Sequence, residues 1–346
     1  MSDVLPAPLP APPSAKEIEG VLDRAVRAPS VLNTQPWRFV VDRGSVLVYA
    51  DRERQLTALD PDGREMTMSV GAAVYYLRVA ARHAGWTPTV LPFPVSSEPD
   101  LVAAVTFARG HRPGGDDRHF RALALRRTNR HPFTNEPVPF GVAAELAGAV
   151  ADEGAALRVF DGQAEKDVLS HLVAAGIIDQ GNDCDVVDDI NRWLRPAKDP
   201  RPDGVRDSAQ GMWDRHASMR TPPSSVAAHK GRLVREAPAV LVLYTKEDER
   251  TDWLAAGQAL ARALVVAADR GLAASYANEP VEVASLRPKV ADLVGGGFPQ
   301  VVFRVGYPEA EPESSRRFAR DVTERAAEDA PEPLRGVHPG HAIEGG

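Results

Sequence analysis

The sequence predicts an α+β protein made of two successive lobes, the second carrying an inserted lid. Three observations predict it. The first part of the chain spells one complete unit of helix, hairpin, helix and strand pair. A similar order of elements then recurs. A stretch rich in Pro, Gly, Ser, Arg and Asp, from Arg195 to Glu236, interrupts the recurrence. With 346 residues, 43% of them hydrophobic and 26% charged, the chain is long enough for two domains of ordinary size or one fused pair.

Residues 1–14, MSDVLPAPLPAPPS, read as a flexible Pro/Ala arm. Ser14 and Glu17 form a capping box, and Ile18, Val21, Leu22, Ala25 and Val26 follow at helical spacing until Pro29 ends the helix. Trp37 to Val41 and Ser45 to Tyr49 make a hairpin around Asp42-Arg43-Gly44. Met66 to His83 is a long apolar helix closed by Gly85. Thr87 to Leu91 is an edge strand, because Pro88 has no N–H to give a ladder, and Leu101 to Ala108 is more central. The first lobe is thus placed at 15–125.

The second lobe is placed at 126–322. It holds helices at Phe140 to Ala151, Ala164 to Ala175 and around Val186 to Leu194, and a strand at Leu157 to Phe160. The region 195–236 has no long periodic run; a stretch of that kind inside a compact domain reads as a lid or binding loop. Pro238 to Thr245 is a buried strand, Asp252 to Arg270 an almost uniformly apolar helix stopped by Gly271, and Phe298 to Tyr307 the last strong strand. Residues 323–346 are polar and read as a flexible tail. Identity between the halves is weak, so the duplication rests on the order of elements.

Composition excludes several classes. A formal net charge of −7 argues against nucleic acid or an anionic membrane as the main partner. The one cysteine, Cys184, sits among acidic residues that disfavour a thiolate, and rules out an intramolecular disulfide. No apolar run is long enough to span a bilayer, and the N-terminus lacks the pattern of a secretory signal, so a soluble cytoplasmic protein is expected. Metal-binding His and Cys spacings, G-x-S-x-G and G-x-G-x-x-G are absent, so no metal and no resident dinucleotide is expected.

Four segments carry the chemical signal. RAPSVLNTQPWRF, from Arg27 to Phe39, places Ser30, Asn33 and Gln35 on the turn between a helix and a strand. RRTNRHPF alternates Arg126, Thr128 and Arg130, so in an extended segment all three point one way; two guanidinium forks and a hydroxyl suit a phosphate and a polar ring edge, and equally a solvated basic turn. GLAASYANEPVEV follows the apolar helix, and GFPQVVFRVGYPEAEPESSRRF closes the chain's last strand with the basic pair Arg316-Arg317.

Together these segments resemble the FMN-binding nitroreductase family, and most closely its Acg-like branch with two fused nitroreductase-like halves. The resemblance implies that Pro29, Ser30 and Asn33 edge a flavin, that Arg126 and Thr128 face its phosphate, and that Arg130 faces the pyrimidine end. It implies an N–H contact to flavin N5 within Ser275 to Pro280, at Asn278 or Glu279, and a phosphate clamp from Arg316 or Arg317. In the family the arginine motif precedes the P-S-x-x-N loop within one chain; here the order is reversed. The first half has the loop without the arginines, and the second has the arginines but reads GAALRVF where the loop belongs. The expectation is an intramolecular pseudo-dimer with one FMN per chain. NAD(P)H would be a transient electron donor and a nitroaromatic or quinone the small-molecule acceptor, with solvent protonating the product and no catalytic side chain required. The alternative is an FMN-sequestering or storage protein whose lid blocks nicotinamide. Association beyond the pseudo-dimer is left open.

Overall fold

Two helices without a polar face organise the molecule, which is described here by a computed structural model covering residues 12–110, 117–206, 222–309 and 314–326. Helix α2 (Arg64–His83) buries Met66, Val70, Val74 and Leu77 on one side and Met68, Ala72 and Tyr76 on others. Helix α8 (Arg250–Asp269) does the same with Leu254, Ala261, Val265 and Ala256, Leu260, Leu264. A helix apolar all round must be covered all round, and these two cover each other. They cross so closely that a Cβ on Gly71 would lie 2.4 Å from the Leu254 carbonyl oxygen, and one on Gly257 2.1 Å from that of Met68. Only glycine permits that approach. Leu254, Ala261 and Val265 of α8 pack into the core of the first lobe, and Met68 of α2 packs into the second.

The first lobe is a five-stranded sheet. Its hairpin, β1 (Trp37–Asp42) and β2 (Ser45–Ala50), continues into β4 (Leu101–Arg109), with β3 (Trp86–Pro92) at the edge, as Pro88 demands. Helix α1 (Ala15–Ala25) starts at the Ser14–Glu17 capping box and turns Ile18, Val21, Leu22 and Ala25 onto the same core. The opposite edge is taken by β11 (Thr323–Arg325), parallel to β1 with Phe39 opposite Thr323. This corrects the reading of 323–346 as a free tail. It also corrects the end of the second lobe at 322, since Ala319 and Val322 are buried in the first lobe's core. Residues 327–346 and 1–11 of the expected tail and arm lie outside the described residues.

The second sheet has the order β5 (Ala156–Phe160), β8 (Ala239–Thr245), β10 (Phe298–Gly306), β9 (Ala273–Tyr276). Its central strands β8 and β10 are buried on both faces and read as nearly continuous apolar runs. Helices α8 and α4 (Phe140–Ala151) cover one face; α5 (Gln163–Gly181) and α7 (Pro223–Glu236) cover the other. Helix α3 (Asp117–Leu125) precedes them and packs into the first core, and α6 (Cys184–Trp193) follows α5.

The inserted region differs from its expectation. Leu194–Arg195 (β6) and Val205–Arg206 (β7) pair as a short parallel ribbon, and α7 is a full helix where no periodic run was expected. It is pinned to α5: Ser170 Oγ donates to the Gly231 carbonyl at 2.8 Å and Lys166 Nζ to that of Ala237 at 3.0 Å. Residues 207–221 lie outside the described set. Three further elements fall where the sequence reading assigned none: β9, α9 (Glu279–Glu282) and α10 (Arg287–Val294).

Candidate functional site

The loop after α1 is held in an unusual conformation. Leu32, Asn33 and Gln35 have φ of 42°, 56° and 52°, in the left-handed region that L-residues adopt at a free-energy cost. Neighbours over-determine it. The Gln35 N–H donates to Ser30 Oγ at 2.9 Å, and the Val31 N–H to Ser69 Oγ of α2 at 3.1 Å. Asn33 Nδ2 donates to the carbonyls of Gly204 at 2.9 Å and Ser315 at 3.3 Å, and the Gly204 N–H returns a bond to the Asn33 carbonyl at 3.1 Å. Buried Gln35 reaches Pro202 and accepts from the Arg317 N–H. The loop therefore ties together the first lobe, the base of the insertion and the segment that leads into β11.

The basic segment arrives from the second lobe. Thr128 bridges to Ala274, and the Asn129 N–H donates to the Ala274 carbonyl at 2.8 Å, which fixes the segment alongside β9. Thr128 and Arg130 then line a small cavity with Pro29, Ser30, Asn33, Arg206 and Arg316. Arg126 stands behind Thr128, buried, with its Nε donating to the Tyr76 hydroxyl at 2.9 Å and Nη1 to Thr128 Oγ1 at 3.5 Å. Arg316 donates to the Ala28 carbonyl, Ser314 Oγ and the Ser315 carbonyl. Among the described residues neither Arg126 nor Arg316 has a carboxylate within ion-pair reach. Burial, with the Arg126 charge next, brings the Arg316 guanidinium down to about 9. Buried Arg126 and half-buried Arg316, with the guanidiniums of Arg130 and Arg206 at the wall, define a place that an anion would stabilise.

A cavity of about 650 Å³ adjoins it, sharing Pro29, Ser30, Arg130 and Val205. Ser275, Tyr276, Asn278 and Glu279 form one wall and Met68, Ser69 and Ala72 of α2 another. Pro223, Val226, Lys230 and Leu233 of α7 face it from the insertion. Its far end is acidic: Glu65, Glu279 and Glu282 all reach it. Asn278 Nδ2 donates to Glu65 Oε1 at 2.9 Å, Gln180 Nε2 to Glu282 Oε2 at 2.6 Å, and Lys230 pairs with Glu279. Burial holds the Glu65 carboxyl above the usual range against the opposing charge of Arg64; burial and the charges of Glu65 and Glu279 hold Glu282 well above it.

Of the residues singled out in the sequence, Pro29, Ser30, Asn33, Thr128, Arg130, Ser275, Asn278, Glu279 and Arg316 reach one or both cavities. Arg126 and Arg317 do not: Arg126 sits behind Thr128, bonded to the Tyr76 hydroxyl, and the Arg317 guanidinium bonds the Gln35 and Trp37 carbonyls and so braces the strained loop. Sequence reasoning missed Arg206, Ser315, Tyr276 and Glu282. Arg206 and Ser315, which bond each other, come from segments far apart in sequence and carry no local motif. Glu65 and Met68, which stand in no motif, also line the larger cavity.

Comparison with known proteins follows the same lines. The chain is 32% identical over 309 residues, 85% of its length and 86% of the relative's, to "Putative NAD(P)H nitroreductase Rv3131" of Mycobacterium tuberculosis. It is 29% identical over 339 residues, 90% of its length and 96% of the relative's, to "Putative NAD(P)H nitroreductase acg" of the same organism. No family model matches. Among solved structures, the NADPH:FMN oxidoreductase from Vibrio harveyi complexed with NAD+ aligns with 12% identity and a TM-score of 0.37 over 58% of this chain and 73% of that one. Nitroreductase A from Vibrio parahaemolyticus aligns with 12% identity and a TM-score of 0.37 over 58% and 71%. The relative at 32% identity, covering 85% of this chain, shows the class: the chain belongs to the nitroreductase family.

Proposed function

We propose that the chain is an FMN-dependent oxidoreductase of nitroreductase type that holds one FMN in the cleft between its lobes. The observation that carries this is the pair of arginines, buried Arg126 and half-buried Arg316, set with no carboxylate partner among the described residues, close to Thr128, Arg130 and Arg206. A phosphate monoester supplies the missing negative charge and the acceptor oxygens that forked donors require. The neighbouring cavity lies within the size range of small-molecule sites. Pro29, Ser30, Met68, Ser69, Ser275 and Asn278 are the residues that would enclose the ring system, drawn from both lobes, with Arg130 at the junction. A cation at the pyrimidine end would stabilise the reduced, anionic ring. When bound, FMN supplies two-electron chemistry, accepting hydride at N5 from NAD(P)H and passing it to a nitroaromatic or quinone. The test is the flavin released from purified protein: about one FMN per chain is expected, and a ratio near two, or a colourless protein that refuses added FMN, overturns the reading.

A second reading has its own support. Helix α7 borders the cavity and is latched to α9 through the Lys230–Glu279 pair. If that helix keeps nicotinamide from the ring, the chain is an FMN store with little turnover. Stopped-flow reduction separates the two: rapid bleaching of bound FMN by NADPH supports the oxidoreductase, while bleaching by dithionite alone supports storage.

A further inference from the structure

The acidic end of the larger cavity holds more carboxylate oxygens than the protein supplies with partners. Glu65 of α2 and Glu279 and Glu282 of α9 line it. Glu65 and Glu279 are 3% and 7% exposed, and in each the Oε2 atom is buried with no hydrogen-bond partner. Their other oxygens are taken: Glu65 Oε1 accepts from Asn278 Nδ2 at 2.9 Å and from Arg64 at 3.5 Å, and Glu279 Oε1 pairs with Lys230. Glu282 is half-buried and accepts from Gln180 Nε2 at 2.6 Å, and no described lysine or arginine forms an ion pair with it. Asp60, behind Glu65, turns its two oxygens to the Glu65 and Met66 N–H groups. Arg232 and His229 of α7 also border the cavity, 3.4 Å from each other. A buried acceptor left unpaired costs the desolvation of that group, so the orphan oxygens mark a place where donors are missing. A metal ion does not fit them, because no three ligand atoms at this end lie within 4.8 Å of one another; among the described residues that spacing occurs at Asp183, Cys184 and Asp185.

We propose that this end of the cavity recognises an organic cation, a primary ammonium or amidinium carried on an apolar ring. Such a head brings several N–H donors at once. Glu282 and the spare oxygens of Glu65 and Glu279 are acceptors of the sign and number to take them in charge-assisted bonds. The Lys230 ammonium already sits against Glu279, so the chain itself places a group of this chemistry here. Met68, Ile177, Val226 and Leu233 line the same cavity and suit the apolar body of the guest. Burial and mutual repulsion oppose charge on Glu65 and Glu282, and an arriving cation removes that opposition. The inference deepens the oxidoreductase reading and rests on it for the identity of the guest: the cation belongs to the electron acceptor. Acceptors with a positively charged substituent are therefore preferred over neutral and anionic ones of the same shape.

The experiment is a calorimetric titration of the purified chain, with and without added FMN, at neutral pH. The probes share one shape and differ in charge: 4-nitrobenzylamine as its ammonium, 4-nitrobenzyl alcohol and 4-nitrobenzoate. Wild type is expected to bind the ammonium about tenfold or more tightly than the alcohol, and the benzoate most weakly. Benzamidinium, which carries no nitro group, is expected to displace the ammonium. In E282Q, which is isosteric, the preference for the ammonium is expected to fall to about twofold or less, because the half-exposed carboxylate has lost its charge. Wild type that binds the alcohol as tightly as the ammonium overturns the proposal, and that comparison needs no variant to fold. E282Q with the full wild-type preference overturns it as well. Bleaching by NADPH is recorded on the same preparations. A chain that prefers the ammonium but is never bleached supports the cation site and removes the oxidoreductase reading. A chain that is bleached but indifferent to ligand charge keeps that reading and overturns the site.

Discussion

Arg316 is a cation placed where a cation is disfavoured. Its guanidinium titrates near 9, below its ordinary 12.5, through burial and then the Arg126 charge. A basic group with a lowered folded value weakens the fold while it stays protonated; the deficit is complete below about 9 and is recovered only as pH climbs toward the unfolded value. At neutral pH the anion-free chain therefore bears the whole deficit, and a bound phosphate relieves it. FMN is expected to raise the melting temperature of wild type. Arg316→Ala is expected to melt at or above the wild-type temperature without ligand and to show a smaller rise with FMN, both read in a thermal melt. Arg126→Ala is expected to weaken FMN binding by about 1.5–3 kcal/mol, the range for a hydrogen bond to a charged group, measured by fluorescence titration; an unchanged affinity would remove that arginine from the site. At this scale the sequence was most legible where residues are contiguous. Pro29, Ser30 and Asn33 stand on one turn and Thr128 and Arg130 on one extended segment. Arg206 was illegible because its place depends on Asn33, Gly204 and Ser315 meeting across the molecule.

Helix α2 and helix α8 decide how the lobes sit, and glycine decides how α2 and α8 sit. Gly257→Ala would place a methyl 2.1 Å from the Met68 carbonyl oxygen. The helices must part to admit it, and overpacking of this kind costs about 1–3 kcal/mol or more. The expected result is a lower melting temperature together with weaker FMN binding, because Met68 and Ser69 line the cavity. Gly148→Ala in α4 is the matched control. A Cβ there meets nothing within 4 Å, and the change should stabilise by about 0.5–1 kcal/mol through helix propensity. Asp248 ties elements in the second lobe. Burial would raise its carboxyl, but hydrogen bonds from Arg287, Gln300 and Trp253 outweigh that and bring it to about 2. A lowered carboxyl contributes stability above its unfolded value of 3.8 and loses it as pH falls toward 2. Asp248→Asn is therefore expected to be less stable at neutral pH and to show a flatter loss of stability between pH 4 and 2, followed by circular dichroism. Long periodic elements such as α2, α8 and β10 were legible within a few residues. Helix α7 was not. It lies in a stretch read as having no long periodic run, yet Pro223 opens it, a position where its missing N–H has no partner to lose.

Across the whole molecule, the halves of the cradle come from opposite ends of the sequence. The loop at 30–35 needs Gly204 and Ser315, and β1 needs β11 as its edge partner. The reversed order of motifs was readable in the residues. The return of 314–326 to the first sheet was not, because a strand as short and polar as Thr-Glu-Arg leaves no periodic trace. Removing 314–326 is expected to abolish FMN binding and to lower the melting temperature of what remains, since one deletion strips both Arg316 and a sheet edge. That return also sets a clock. Ribosomes deliver Asn33 early and Ser315 among the last described residues, so no half-made polypeptide can close the small basic cavity. On the proposed reading, flavin capture waits until Ser315 has left the ribosome, which makes acquisition of the cofactor a late step rather than a guide to the folding of the first sheet.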